Sequence, residues 1–172
     1  MSQSYKHHPL VDLARKAIAA HLSGTSLPQT EMLEDPREAT GAFVSLKKEG
    51  QLRGCIGTIQ PVRSTLVQEV MENAVSAATR DPRFLPVSLD ELDSITISVD
   101  ILSAPETVPG IEDLDPSRYG VVVKSGLRKG VLLPDLPGIT TAEEQIRIAM
   151  QKAGIGKNEP VELLRFEVSR YY

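Results

Sequence analysis

The chain has 172 residues, 41% hydrophobic and 24% charged, with a formal net charge of −4 and a pI of about 5.4. That balance suits one compact domain or two small subdomains sharing a core, and it excludes a generally basic, nucleic-acid-gripping surface, though not a local patch. No apolar run approaches the ~20 residues that span a bilayer, and one cysteine excludes an internal disulfide framework, so a reduced, cytoplasmic setting is expected.

The opening "MSQSYKHHPLVDLARKAIAAHL" has no continuous apolar core of the kind a signal peptide carries. Within it, residues 9–22 predict an amphipathic helix. Leu10, Leu13, Ala14, Ala17, Ile18 and Leu22 recur at three- and four-residue steps, Pro9 suits the first turn, and Gly24 follows the end. Residues 23–40, rich in Ser, Thr, Pro and acid, read as a loop. "GAFVSLKKEGQLRGCIGTI" then reads as a β-hairpin turning at "KKEGQ", with Ala42, Val44 and Leu46 on one side. On the return strand Leu52, Ile56 and Thr58 alternate with Arg53, Cys55 and Gly57, so Arg53 and Cys55 are expected to share a face.

Residues 64–79 predict a second helix with Leu66, Val70, Ala74, Ala77 and Ala78 buried and Ser64 as N-cap. "RDPRFLP" ends it, because Asp81 precedes a proline. "SITISVDIL", 94–102, alternates as a strand, with Ile95, Ile97, Val99 and Ile101 inward and Thr96, Ser98 and Asp100 outward. A proline-containing loop over 103–117 follows. "YGVVVKSGLRKGVLLP" reads as a second hairpin closed around Ser125-Gly126 and Gly130. "TTAEEQIRIAMQKAG" predicts a third helix capped by Thr140 with Glu143 or Thr141 with Glu144, and ended by Gly154. "PVELLRFEVSRYY" reads as one closing strand. Strands arranged as hairpins favour an α+β fold with antiparallel sheets flanked by helices.

Cys55 is the first candidate for chemistry. A thiolate is a nucleophile, nearby positive charge lowers a thiol pKa, and Arg53 supplies such a charge. The flanking Gly54 and Gly57 admit the close approach of a substrate or of another backbone. On residue type alone, Cys55 reads first as a small buried hydrophobe in a tightly packed strand. No base stands out: His7 and His8 lie near the N-terminus and His21 near the end of the first helix. Arg80 and Arg83 around Asp81 either bind an anion beside the thiol or cap carbonyls at a helix end. "GLRKG" reads as a solvated basic turn, and Tyr119 and Tyr171-Tyr172 read as packing residues. No metal-ligand spacing and no phosphate-loop or dinucleotide motif occurs, so no metal or cofactor is expected.

"LRGCIGTIQP", followed by "DPRF", "ITISVDILS", "YGVVV", "GVLLP" and "KAG", resembles the AMMECR domain family, whose prokaryotic members are also called AmmeMemoRadiSam system protein A. The likeness runs from the first helix to the terminal "RFEVSRYY", and the signature LRGCIG is intact. It implies a single domain of this type over 1–172, with two subdomains of unequal size: a larger one from both chain ends and a smaller one from the middle. It further implies that the signature side chains point toward the interface between the parts. Arg53, Gly54, Cys55, Gly57 and Arg83 are then candidate ligand-binding residues, with Cys55 a candidate catalytic one. The expected function is a ligand- or partner-binding module, serving a small anionic ligand or a protein partner in a pathway with Memo-like and radical SAM proteins. The alternative is an enzyme with Cys55 as nucleophile or acid and arginines holding an anionic substrate.

Overall fold

The computed structural model describes residues 7–29 and 39–172. The first helix, α1, spans Pro9–Ser23 and ends on Gly24 at φ 70°, a left-handed cap that glycine adopts without strain. Its N-cap is His8, whose imidazole accepts from the Leu10 N–H and stacks on Tyr171 at 4.0 Å. His8 is therefore a structural cap, while His7 is exposed. Most of the stretch read as a loop before the first hairpin, residues 30–38, lies outside the described residues.

Strands β1 (Ala42–Lys48) and β2 (Gln51–Thr58) form the expected hairpin, turning at Glu49 and Gly50, both at positive φ. Helix α2 spans Leu66–Thr79. Its N-cap is Thr65 rather than Ser64: the Thr65 hydroxyl accepts from the Gln68 N–H, while Ser64 donates to the Gln68 side chain. A 3-10 turn, Leu89–Ser94, leads into β3 (Ile95–Leu102). The expected loop over 103–117 holds a short strand, β4 (Glu106–Val108), and a 3-10 turn, Ile111–Asp113. Next come β5 (Gly120–Ser125), β6 (Arg128–Leu132) and α3 (Ala142–Lys152), the last capped by Thr141. The predicted closing strand is two strands, β7 (Glu162–Phe166) and β8 (Val168–Tyr171), broken at Glu167 because they serve different sheets.

The fold is α+β with two four-stranded sheets, ordered β2-β1-β3-β8 and β4-β7-β5-β6. The chain divides into two compact units, Met1–Ile101 with Ser169–Tyr172, and Leu102–Val168. In the first, α1 and α2 pack on each other, and α2 lies on β1 and β2. Leu10, Ala14 and Ile18 of α1, Leu66, Val70 and Ala74 of α2, and Val44, Leu46, Ile97 and Val99 of the sheet form its core. Each fully buried Leu, Ile or Val contributes ~1.5–3 kcal/mol of transfer free energy. In the second unit α3 covers β5 and β6 over Val121, Val123, Leu132, Ala149 and Met150. Gly130 lies in β6 and not in the hairpin turn, which is Gly126-Leu127. A side chain at Gly130 would overlap the Ala149 carbonyl of α3.

Candidate functional site

The signature string lies on β2, an edge strand of the first sheet. Its register with β1 runs Ala42↔Thr58, Val44↔Ile56 and Leu46↔Gly54, then slips so that Lys47 faces Leu52. Arg53 is the extra residue, a β-bulge that ends the simple alternation and turns Leu52 out to solvent, 41% exposed. Gly54 faces the helices. A Cβ there would overlap the Ala77 carbonyl of α2, so the glycine lets the helix backbone settle onto the strand. Gly57 faces the opposite side, under the ring of Phe43, which fills the space a side chain would need.

Cys55 stands on that opposite face, directly across from Ser45. Its Sγ and the Ser45 Oγ are hydrogen-bonded at 3.1 Å, and the residue is partly exposed. Because β2 is an edge strand, the Cys55 backbone is left to partners outside the sheet. Its N–H donates to Asp81 Oδ2 at 2.9 Å, and its carbonyl accepts from Arg83 Nη2 at 3.4 Å. The Asp81 carboxylate is buried and also accepts from the Arg83 N–H, Nε and Nη2 at 3.1, 3.0 and 2.8 Å. Arg83 beside it, with these backbone donors, holds the Asp81 carboxyl well below the usual carboxylate range. "DPRF" and "RGC", 26 residues apart, are thus stitched together.

The positive charge acting on the thiol is Arg83, and not Arg53. Arg53 binds the Glu91 carboxylate through Nε at 2.7 Å and Nη2 at 3.2 Å, and caps the carbonyls of Leu85 and Pro86. This fork, with the Ser88 N–H and Lys48, lowers Glu91 to about 2. The expectation of a thiol pKa lowered by neighbouring charge is not met. Burial pushes the Cys55 thiol up, and Asp100 and Asp81 push the same way. The Ser45 hydrogen bond and Arg83 pull down without cancelling them.

The same sheet face continues across β1 and β3 through Phe43, Ser45, Ser98 and Asp100, where Ser45 pairs with Ser98 and Phe43 with Asp100. Asp100 is on the side its alternation predicts, but it is buried rather than solvated. Arg170 of β8 grips it through Nε at 2.7 Å and Nη2 at 2.9 Å. Neither Asp100 nor Arg170 stood out in the sequence, since only the sheet order brings β8 beside β3. The result is a face with small side chains, Ser45, Cys55 and Ser98, near two guanidinium groups, Arg170 on Asp100 and Arg83, whose side chain is 56% exposed. Among the described residues Arg83 Nη1 donates no hydrogen bond. No group of three or more His, Cys, Asp or Glu able to hold a metal occurs among the described residues. Among the described residues no helix is long and apolar enough to cross a membrane.

Known proteins are similar to this chain in sequence or in fold. A protein of Thermotoga maritima is 49% identical over 95% of this chain and 97% of its own length. One of Clostridium acetobutylicum is 44% identical over 99% of this chain, which spans only 37% of that protein. The crystal structure of the uncharacterised protein PH0010 from Pyrococcus horikoshii is similar, with a TM-score of 0.84 and 31% identity over 94% of this chain and 88% of that one. The AMMECR1 family model matches residues 11–171, and with the relatives above it shows that this chain belongs to the AMMECR1 family.

Proposed function

We propose that the chain is a non-catalytic recognition module of the cytoplasm, and that its binding surface is the outer face of β1 and β2 around Cys55. The partner is a protein of a pathway with Memo-like and radical SAM proteins, presenting a carboxylate or another anionic group to Arg83. The observation that carries this reading is the state of Arg83. It is more than half exposed, fixed in place by a buried carboxylate and the Cys55 carbonyl and stacked over the Phe84 ring, with its Nη1 donating no hydrogen bond among the described residues. A pre-positioned guanidinium loses little freedom on binding and suits fork-shaped recognition of an anion.

The enzyme reading, with Cys55 as nucleophile, has less support. Burial keeps the thiol protonated near neutral pH, and the carboxylates acting on it are held by arginines: Asp81 by Arg83 and Asp100 by Arg170. Arg53 serves Glu91 and the 85–86 carbonyls, so a role in holding a substrate would first cost those bonds.

Calorimetric titration of the protein with its Memo-like and radical SAM counterparts tests the reading. Arg83→Gln is expected to weaken binding about tenfold, a change of ~1.4 kcal/mol, while Cys55→Ser stays within about twofold. Loss of binding in a folded Cys55→Ser variant, with Arg83→Gln unaffected, contradicts it.

A further inference from the structure

The β5–β6 hairpin places two lysines directly opposite each other, Lys124 and Lys129. Opposed residues on one sheet face carry Cβ atoms ~4.5–5.5 Å apart, and like charges so placed are destabilising. Neither ammonium has a carboxylate within 4.0 Å among the described residues. The adjacent arginine, Arg128 at the start of β6, is taken by Glu159, which also accepts from Ser125. The acid that does face Lys124 in register, Glu162 of β7, accepts instead from the Thr107 hydroxyl. The two lysines line an open cleft of about 520 Å³ together with Ser125, Gly126, Pro160, Val161 and Glu162.

We propose that this cleft is a binding site for a compact dianion of the phosphomonoester class, held between Lys124 and Lys129. A phosphate carries about −1.5 to −2 charges near neutral pH, which matches two ammonium groups. Binding converts a repulsive cross-strand pair into a bridged one. Glu162, also in the cleft, stays on Thr107 and disfavours more highly charged anions. The site lies wholly in the second unit and shares no residue with the Arg83 surface.

Thermal unfolding and amide NMR of the whole protein test it, with inorganic phosphate and phosphoserine as probes and chloride at matched ionic strength as control. Both probes are expected to raise the melting temperature beyond chloride and to shift the amides of Lys124, Gly126 and Lys129. Lys129→Gln removes the repulsion, so the variant is expected to melt higher than the wild type without phosphate and to lose at least tenfold in phosphate affinity. Lys124→Gln is the second variant, should the first fail to fold. Equal effects of phosphate and chloride, or unchanged phosphate affinity in a folded lysine variant, would overturn the proposal.

Discussion

Asp81 and Arg83 satisfy the two backbone groups that Cys55 leaves bare on the free edge of β2, and that ties the thiol's position to a pair of charges. Arg83→Ala would leave the buried Asp81 with only two backbone donors. Because the guanidinium is half in water, the expected cost is moderate, ~1–3 kcal/mol in urea unfolding. A variant as stable as the wild type would show that the pair does not hold the edge. At this scale the sequence was ambiguous in a specific way. Arg53 and Arg83 were both candidates for the charge beside the sulfur, and strand alternation favoured Arg53. A single inserted residue reversed the choice, since the bulge at Arg53 sends its side chain to Glu91. Nothing in local composition announces a bulge; it is settled by how the hairpin meets the segment after α2.

Strand and helix contacts depend on bare backbone at two places, one in each unit. Gly54 lies under the Ala77 carbonyl of α2, and Gly130 under the Ala149 carbonyl of α3. Neither has positive φ, so the requirement is for space. Gly54→Ala is predicted to force α2 away from β2 at a cost of ~1–3 kcal/mol or more, read as a lowered urea midpoint with an unchanged slope. Gly50→Ala in the hairpin turn, where nothing crowds a Cβ, is predicted to cost less, ~1 kcal/mol, through its positive φ alone. Equal losses would mean that the helix can shift freely. The three long helices and the two hairpins were readable because their apolar periods are strong. The split at Glu167 was not, because Leu164, Phe166 and Val168 keep the alternation of one strand while the chain leaves one sheet for the other. The strand β4 was hidden for a related reason: three residues, Glu106–Val108, are strand only by pairing with β7.

The molecule as a whole should be sensitive to acid through a few carboxylates. Glu91 is lowered to about 2 and Asp81 is held below the ordinary range. Such groups bind protons more tightly unfolded than folded. Their contribution is therefore complete above the unfolded value of about 4 and is lost as pH falls toward the folded one. Urea unfolding is predicted to weaken steadily between about pH 4.5 and pH 2. Arg53→Ala should flatten that loss, because the Arg53 fork is the largest cause lowering Glu91; an identical slope in the variant would refute the assignment. Family membership was legible over nearly the whole chain, since several strings recur in order, and the model match over 11–171 agrees. What the signature does was less legible. Arg53, Gly54 and Gly57 have packing and pairing duties that appear only in three dimensions.

On the proposed reading, the Cys55 sulfur is a neutral part of a recognition surface and not an activated nucleophile. The rate of Cys55 alkylation by iodoacetamide across pH 6 to 11, compared with free cysteine, tests it most directly. The predicted profile rises at higher pH than that of an ordinary thiol, ~8.5, and Ser45→Ala moves it higher still, because the Ser45 hydrogen bond favours the thiolate. Rapid alkylation at neutral pH with a midpoint below that of free cysteine would contradict it.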